Sequence, residues 1–482
     1  MERLQARSDT FFRVSPGERG NLEYFAVRLS TLNGRLDPHY HHPSFSRLVE
    51  HIKSIGSNSL DALIQYSNET WNKSDGRFTE LFPYIEISGV GLGTNEYQVT
   101  QTHISEAPSR ARQVVRTGDI LISMTRPHRG AVARILPEDD GAIASTGFAI
   151  VRHVDANQID REYLRNCLSV PFGSDQMLMR SSGGSYPAII KDELSLVLIP
   201  HVPLKRQRQL ANAMEEAWHS RRAKLAEADA LLEGIGDFVL DTLMVTPLIE
   251  DSRQVFGVKV YNLKTLSLGP QSYAPVLQQF LNELRKNPSV SKPLSAYVGI
   301  NPRANTSGID DNDLVGFVPM EAVSHRATGE YAAVHRPLRE VKKGFTPFRN
   351  GDILWAKITP CMQNGKIFIA DALPNGVGYA STEFHVLRVW SKDVSTEFVK
   401  EFLSQVTLRR LATFVFTGTA GQQRVPPEFI AGLPFPALPL EQQNEIVESI
   451  KSVRGKARRL RTEAESGWQD AKRWFEGQLL GE

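Results

Sequence analysis

Thr117-Gly118-Asp119-Ile120-Leu121-Ile122-Ser123 returns 233 residues later as Asn350-Gly351-Asp352-Ile353-Leu354-Trp355-Ala356. Four identical residues alone would be a weak repeat. Downstream, however, IASTGFAIVR (143–152) returns as YASTEFHVLR (379–388), 236 residues on. KDELSLVLIPHVPLKRQRQL (191–210) then returns as PPEFIAGLPFPALPLEQQNEI (426–446), with Pro200, Pro203, Leu204 and Gln207 aligned on Pro436, Pro439, Leu440 and Gln443. Three segments in one order, with one small length change between the first and second, define a duplicated chain. The duplication governs every other reading of the fold.

Each copy reads alike from its N-terminal side. A mixed region rich in turn residues leads to a short strand after Gly-Asp, such as Ile120 to Met124, where branched apolar residues follow a turn. A helix follows at Arg161 to Leu168 and at Glu397 to Ser404. Then come a small-residue loop, RSSGGSYP (180–187) or TGTAGQQRVPP (417–427), and a proline-punctuated strand, Leu196 to Pro200 or Leu433 to Pro436. Each copy closes on a long helix. From Leu204 to about Leu243 there is no proline, and Leu210, Met214, Ala217, Arg221, Leu225 and Ala228 form a seam at helical spacing with one charged exception. Gly234 and Gly236 are expected to end or kink this helix. The second runs from about Glu441 to Leu480, with Ile446, Ile450, Val453, Ala457 and Leu460 at the same spacing. About 30 helical residues would span about 45 Å, longer than a compact domain of this size needs. Two such helices from a duplicated chain are expected to pack on each other as a shared coiled-coil spacer.

The expected fold class is α+β: two tandem quasi-symmetric domains joined by two long antiparallel coiled-coil helices. The boundaries fall at 1–203 for the first domain, 204–245 for the central helix, 246–439 for the second domain and 440–482 for the C-terminal helix. VTPLIEDSR (245–253) is the expected linker. Residues 119–210 should superpose on 352–446 after a rotation near two-fold.

Composition sets the outer limits. The 482 residues are 41% hydrophobic and 23% charged, enough to bury real cores. A net charge of +2 excludes a histone-like polycation, but nucleic-acid binding needs only a local basic face. Two cysteines, Cys167 and Cys361, exclude a disulfide scaffold and a cysteine-based zinc site and fit a reducing, cytoplasmic location. MERLQARSDTFFRV carries charge where a signal peptide needs an apolar run. No window approaches 18 uninterrupted apolar residues, so no membrane span is expected.

The motifs of catalysis are missing. The chain has no Rossmann glycine fingerprint, P-loop, GxSxG elbow or HExxH. Val425-Pro426-Pro427-Glu428 lacks the polar lead residue of an amino-methyltransferase tetrapeptide. The acidic runs Glu138-Asp139-Asp140 and Asp310-Asp311-Asn312-Asp313 sit in turn-like contexts and read as solvated loops. The run Pro38-His39-Tyr40-His41-His42-Pro43 has no cysteine or carboxylate partner at metal-ligand spacing, so no metal is expected. It reads as a surface turn or as a loop against nucleic acid.

What does recur is basic and amide side chains in loops. The first copy offers Arg110, Arg112 and Arg116, then Arg126, His128 and Arg129, then Arg180 and Ser182, with Tyr186 in the same loop. The second offers Arg336, Arg339, Lys342, Lys343 and Arg349, then Lys357, Thr359, Gln363, Asn364 and Lys366, then Gln422, Gln423 and Arg424. Arginine and lysine pair with guanine, asparagine and glutamine with adenine, and all can hold phosphates. A solvated charged surface explains any one of them. Their recurrence just after the Gly-Asp strand and in the loop before the final strand favours DNA.

The repeated Gly-Asp-Ile-Leu segment, the small loop leading to a proline-bracketed strand, and Pro-Leu-x-x-Gln opening a long helix resemble the specificity subunit of type I restriction-modification systems. GFVPMEAVS (316–324) followed by Thr328-Gly329 resembles the start of such a recognition domain. RLDPHYHHPSF (35–45) resembles the usual N-terminal opening, with a histidine where a second tyrosine is common. Before about residue 85 the first copy departs from the pattern. SGVGLGTNEYQ (88–98) matches the second copy only loosely.

The resemblance implies two target-recognition domains, each reading one half of a split sequence in double-stranded DNA. It implies helices that set the gap and dock two methyltransferase subunits, with a motor-nuclease subunit as an optional further partner. The methyltransferases would carry S-adenosylmethionine and methylate adenine, and this chain would bind no cofactor and catalyse nothing. The helix residues expected at the docking surface are Leu210, Met214, Leu225, Ile446, Ile450 and Leu460. Two other classes compete: a fused methyltransferase or nuclease with an unrecognised site, and a protein-binding adaptor on the same duplicated frame.

Overall fold

The computed structural model describes residues 35–245, 273–419 and 421–481. Of the expected linker, 246–253 lies outside the described residues. By packing, the chain divides into two compact units. One takes the chain up to Ala223 together with Glu463 onward; the other is Lys224–Thr462.

The first unit contains β1 (Ser57–Ser59), β2 (Ile64–Tyr66), β3 (Leu81–Ile85), β4 (Thr100–His103), β5 (Ala111–Val114), β6 (Ile120–Ser123), β7 (Val132–Arg134), β8 (Ile143–Ser145), β9 (Phe148–Val154) and β10 (Leu198–Pro200). The second contains β11 (Lys292–Pro293), β12 (Val298–Ile300), β13 (Leu314–Val318), β14 (Val334–Pro337), β15 (Thr346–Arg349), β16 (Ile353–Ala356), β17 (Ile367–Ile369), β18 (Val377–Ala380), β19 (Phe384–Val389) and β20 (Pro434–Phe435). The first unit's sheets are ordered β2-β9-β6-β7 and β4-β3-β8-β5, with β1 paired to β10. The second unit repeats this order strand for strand: β12-β19-β16-β17, β14-β13-β18-β15 and β11 with β20. Even the parallel pairing recurs, β3 with β8 and β13 with β18.

The Gly-Asp-Ile-Leu strand is buried at every position, and apolar at all but Ser123, because it is the wall between two cores. Ile120 and Ile122 face one cluster while Leu121 faces another. Ile353 and Trp355 likewise face one, and Leu354 and Ala356 the other. A strand buried on both faces reads as an unbroken apolar run instead of an alternation. Each buried branched side chain contributes about 1.5–3 kcal/mol of transfer free energy. Gly118 and Gly351 precede it at φ +83° and +85°, where an L side chain is strained.

The aspartate that follows each glycine is a buried anchor. Asp119 and Asp352 are 1% and 0% exposed. Asp119 Oδ2 accepts from the Arg116 backbone N–H at 2.8 Å, and Asp352 Oδ2 from that of Arg349 at 2.9 Å. The Arg152 Nε donates to Asp119 Oδ1 at 2.7 Å, and the Arg388 Nε to Asp352 Oδ1 at 2.7 Å. These arginines end the second repeated segment, so the first two repeats are the two halves of one buried ion pair.

The glutamine of Pro-Leu-x-x-Gln is a second anchor. Gln207 Oε1 accepts from the Asp160 N–H at 2.7 Å, and its Nε2 donates to the carbonyls of Gln158 (3.0 Å) and Val202 (2.8 Å). Gln443 does the same with Ser395 N–H (2.9 Å), Asp393 O (2.8 Å) and Leu438 O (2.6 Å). Asp160 and Ser395 cap the helices Arg161–Ser169 and Thr396–Ser404. One side chain thus ties each long helix to the start of a shorter one.

The long helices run Leu204–Thr242 and Leu440–Leu480, 39 and 41 residues. The first passes through Gly234 and Gly236, contrary to the sequence expectation. Two glycines cost about 2 kcal/mol together, while Ile235, Val239, Leu240 and Leu243 are buried around them, and that burial wins. The helix stops instead at Met244, in the left-handed region at φ 52°, where the N–H groups of Met244 and Val245 donate to the carbonyls of Asp241 and Leu240. This is a Schellman-type cap without glycine. In the first unit Leu210 and Met214 share a core with Trp468, Phe475 and Leu479. In the second, Val239 and Leu243 share one with Ile446 and Ile450. Within each unit, therefore, the helix segments run antiparallel.

The short and long helices are also joined by ion pairs, with reversed polarity in the two units. Arg165 pairs with Glu215 at 3.3 Å in the first. Glu401 pairs with Arg454 at 2.6 Å in the second, and with the buried Lys400 at 2.8 Å.

Candidate nucleic-acid interface

In both units the loop after the Gly-Asp strand is stitched to the loop before the last strand by the same backbone bonds. In the first, Arg126 N–H donates to Pro187 O at 2.7 Å and Ile189 N–H to Met124 O at 2.9 Å. In the second, Thr359 N–H donates to Gln423 O at 3.0 Å and Val425 N–H to Lys357 O at 3.0 Å. Each small loop is also folded back on itself, through Ser182 with Ala188 and Thr417 with Arg424. The two loops that the sequence marked as polar thus form one edge in each unit.

On the first edge Arg126 stands in the left-handed region at φ 50°, with its guanidinium 4.1 Å over the ring of Tyr186. Tyr186 is 70% exposed. His128 and Arg129 are exposed on the turn Pro127–Arg129. Desolvation, with Arg129 and Arg126 alongside, pushes the His128 imidazole below its ordinary value, favouring a neutral hydrogen-bonding ring. Ser182 is exposed. Arg110 and Arg112 flank and occupy β5 in the other sheet, and both are exposed. The Thr146-Gly147 turn links them to the edge, since Thr146 N–H donates to Arg110 O and Met124 N–H to Gly147 O.

On the second edge Gln363, Asn364 and Gln422 are exposed, and Lys357, Thr359 and Gln423 are half-buried. The Thr359 hydroxyl donates to Gln363 Oε1. Beneath the loop Arg409, which sequence reading missed, is buried and donates to the carbonyls of Gln363 and Ser404. Desolvation lowers its pKa. Nothing local in Leu408-Arg409-Arg410-Leu411 tells which arginine turns inward for that role.

Several candidates have other work. Lys366 is buried and its Nζ donates to Met320 O at 2.7 Å, so it is structural. Arg424 forks onto Glu383 at 2.7 and 2.8 Å, and holds that carboxyl below its ordinary range. Arg180 keeps only 10% of its side chain exposed, 3.4 Å from Glu193. The helix residues Leu210, Met214, Ile446 and Ile450 are buried in the chain's own cores, and Leu225 and Leu460 are half-buried. Apolar packing inside the chain has used the seam expected to dock a partner.

Two histidines of the run, His41 and His42, have structural partners, while His39 is exposed. The imidazole Nε2 of His41 lies 2.8 Å from Arg35 O, and His42 Nδ1 caps the helix Pro43–Ser54 by accepting from the Ser44 N–H. Among the described residues no helix is long and apolar enough to cross a membrane.

A duplicated α+β chain with one loop-built polar edge per unit is the class this geometry defines. No family model matches the chain. It is similar to the type I restriction enzyme EcoAI specificity subunit of Escherichia coli, 36% identical over 154 residues, which are 32% of this chain and 26% of that protein. The EcoEI specificity subunit of Escherichia coli is 38% identical over 160 residues, 33% of this chain and 27% of that protein. The matched stretch spans about a quarter of each relative. Among solved structures, a chain from a study of complex assembly and conformational transition in a type I R-M system aligns with TM-score 0.49 and 17% identity, covering 88% of this chain and 96% of that one. The HsdS subunit from Thermoanaerobacter tengcongensis aligns at 0.37 and 19%, covering 88% and 96%. The type I S subunit from M. genitalium aligns at 0.38 and 10%, covering 87% and 94%. The chain thus resembles type I restriction specificity subunits.

Proposed function

We propose that this chain is the DNA-recognition subunit of a type I restriction-modification complex, reading a bipartite, gapped target and catalysing nothing itself. The observation that carries this is the pair of stitched edges: one backbone frame, occurring twice, with different side chains on it. Arg126, His128, Arg129 and Tyr186 stand on one, and Lys357, Thr359, Gln363, Asn364, Gln422 and Gln423 on the other. Identical frames with unlike side chains suit two unlike half-sites. Recognition domains at 1–203 and 246–439, helices that dock two methyltransferase subunits holding S-adenosylmethionine, an optional motor-nuclease subunit and a cytoplasmic location complete the proposal. Half-site centres about one helical turn apart, roughly 10 base pairs, follow if both edges face the major groove from one side.

Methylome sequencing of a host with and without the gene tests it. A gapped, asymmetric adenine-methylation motif should vanish with the gene. A continuous or palindromic motif, or methyl transfer by the purified chain alone, would overturn it. A gel shift over several salt concentrations separates the adaptor reading, because phosphate contacts make binding fall steeply with salt.

A further inference from the structure

The first edge is held from outside by a segment that precedes the unit's first helix. Arg35 is its hub. Its Nε and Nη2 both donate to the Asp37 carboxylate at 3.0 Å, and its Nη1 donates to Arg180 O at 3.2 Å. The same Nη1 lies 3.3 Å from Glu193. The guanidinium lies 4.5 Å over the Tyr40 ring. Arg180 is 6.0 Å from that ring and shares Glu193 with Arg35. Arg180 begins the loop RSSGGSYP, whose far end carries Tyr186, the platform under Arg126. A loop with two consecutive glycines has little conformational preference of its own. Its base is closed by the Ser182–Ala188 bridge, and its backbone is held further by the stitch to Arg126 on one side and by the Arg35 bond to Arg180 O on the other.

The second edge is braced differently. There the fork of Arg424 on Glu383 fixes the loop from within. Gly147 stands at the position aligned with Glu383, so the first edge has no such fork.

We infer that Arg35 and Tyr40 are positioning residues for the first half-site, and that Glu383 does the same for the second. This inference rests on the DNA-reading function proposed above. Neither group need touch DNA. Each sets where the loop's exposed side chains stand, and so affects discrimination among base pairs at its own half-site more than the phosphate contacts common to all sequences.

The test uses the full chain in complex with its methyltransferase partner. Duplexes carry the wild-type target, the target with its first half-site scrambled, or the target with its second scrambled. If wild-type complex binds all three alike, the DNA-reading function fails and the inference falls with it. Otherwise, Arg35→Ala and Tyr40→Ala should each lower discrimination at the first half-site about tenfold and leave the second unchanged. Tyr40→Phe, which keeps the ring, should behave as wild type. Glu383→Gln should give the reverse pattern. Should Arg35→Ala fold poorly, the Tyr40→Ala and Tyr40→Phe pair carries the decision, with thermal melting as the control. Equal loss at both half-sites, or no loss with Tyr40→Ala, overturns the inference.

Discussion

Replacing Gln443 by Leu removes one side chain and leaves three backbone groups without partners. The Ser395 N–H and the Asp393 and Leu438 carbonyls each lose a bond of 2.6–2.9 Å. Gln443 is 0% exposed, so little water reaches the groups left behind, and leucine is near enough in volume to seal the space without satisfying them. An unmet buried polar group costs about 1–3 kcal/mol. Three of them, softened by relaxation of the flanking loop, come to about 3–6 kcal/mol. The loss should be local to the unit Lys224–Thr462. Native-state hydrogen exchange read by mass spectrometry resolves this, because each unit reports its own opening free energy. Amides of the helix Thr396–Ser404 should exchange a hundredfold or more faster, while those of Arg161–Ser169 stay unchanged. Gln207→Leu should give the mirror image. A change below about 1 kcal/mol, or equal loosening of both units, would refute the view that this glutamine ties the start of each long helix to its neighbouring short helix.

Arg126→Ala or Lys357→Ala should weaken target binding by about 1–3 kcal/mol and relax only its own half-site if the residue reads a base, and weaken all sequences alike if it holds a phosphate; competition binding against half-site libraries distinguishes the two. Leu210→Asp and Ile446→Asp should unfold their units by 4 kcal/mol or more instead of cleanly blocking assembly, since both side chains lie inside the chain's own cores; folded, monodisperse variants that merely fail to bind a partner would contradict this. Burial pushes the His385 imidazole down, with Lys357 adding to the effect against the Val425 hydrogen bond, so the folded ring resists a proton that the unfolded chain accepts near pH 6.5. Stability of the second unit should therefore be full above that pH and fall by up to about 1.4 kcal/mol per pH unit below it, and His385→Gln should flatten the denaturant midpoint against pH.

The duplication was legible because the repeated letters are those the fold cannot change. Asp119 and Arg152 are far apart in the chain but form one buried pair, so both recur, and so does Gln207 with its three backbone partners. What recurs is scaffold, and what differs is the edge. The same logic explains the misses. Lys366 and Arg180 read as solvent-facing cations because nothing local announces Met320 O or Glu193. Gly234 and Gly236 read as a stop because their neighbours' burial is a tertiary fact. The stretch SGVGLGTNEYQ, loosely matched by letters, is closely matched in space: Val90 bridges Tyr97 as Val323 bridges Tyr331. Both tyrosine hydroxyls donate to an aspartate, Asp139 or Asp371, and accept a backbone N–H.

A chain built twice from one plan risks threading its pieces into the wrong half, since either long helix could try to seat against either short one. The reversed ion pairs make that exchange self-defeating. At the 236-residue offset that aligns Arg165 with Glu401, Lys451 aligns with Glu215, so seating the start of the second long helix in the place of the first would set Lys451 toward Arg165, and the reverse exchange would set Glu215 toward Glu401. At about 4 Å and an effective dielectric near 20, each such encounter of like charges costs about 4 kcal/mol. Opposite signs at equivalent short-helix positions therefore disfavour the exchange, with Lys400 beside Glu401 offsetting part of the second repulsion. A chimera that grafts one copy's long helix onto the other's domain should fold only if the partner residue at 165 or 401 changes sign with it.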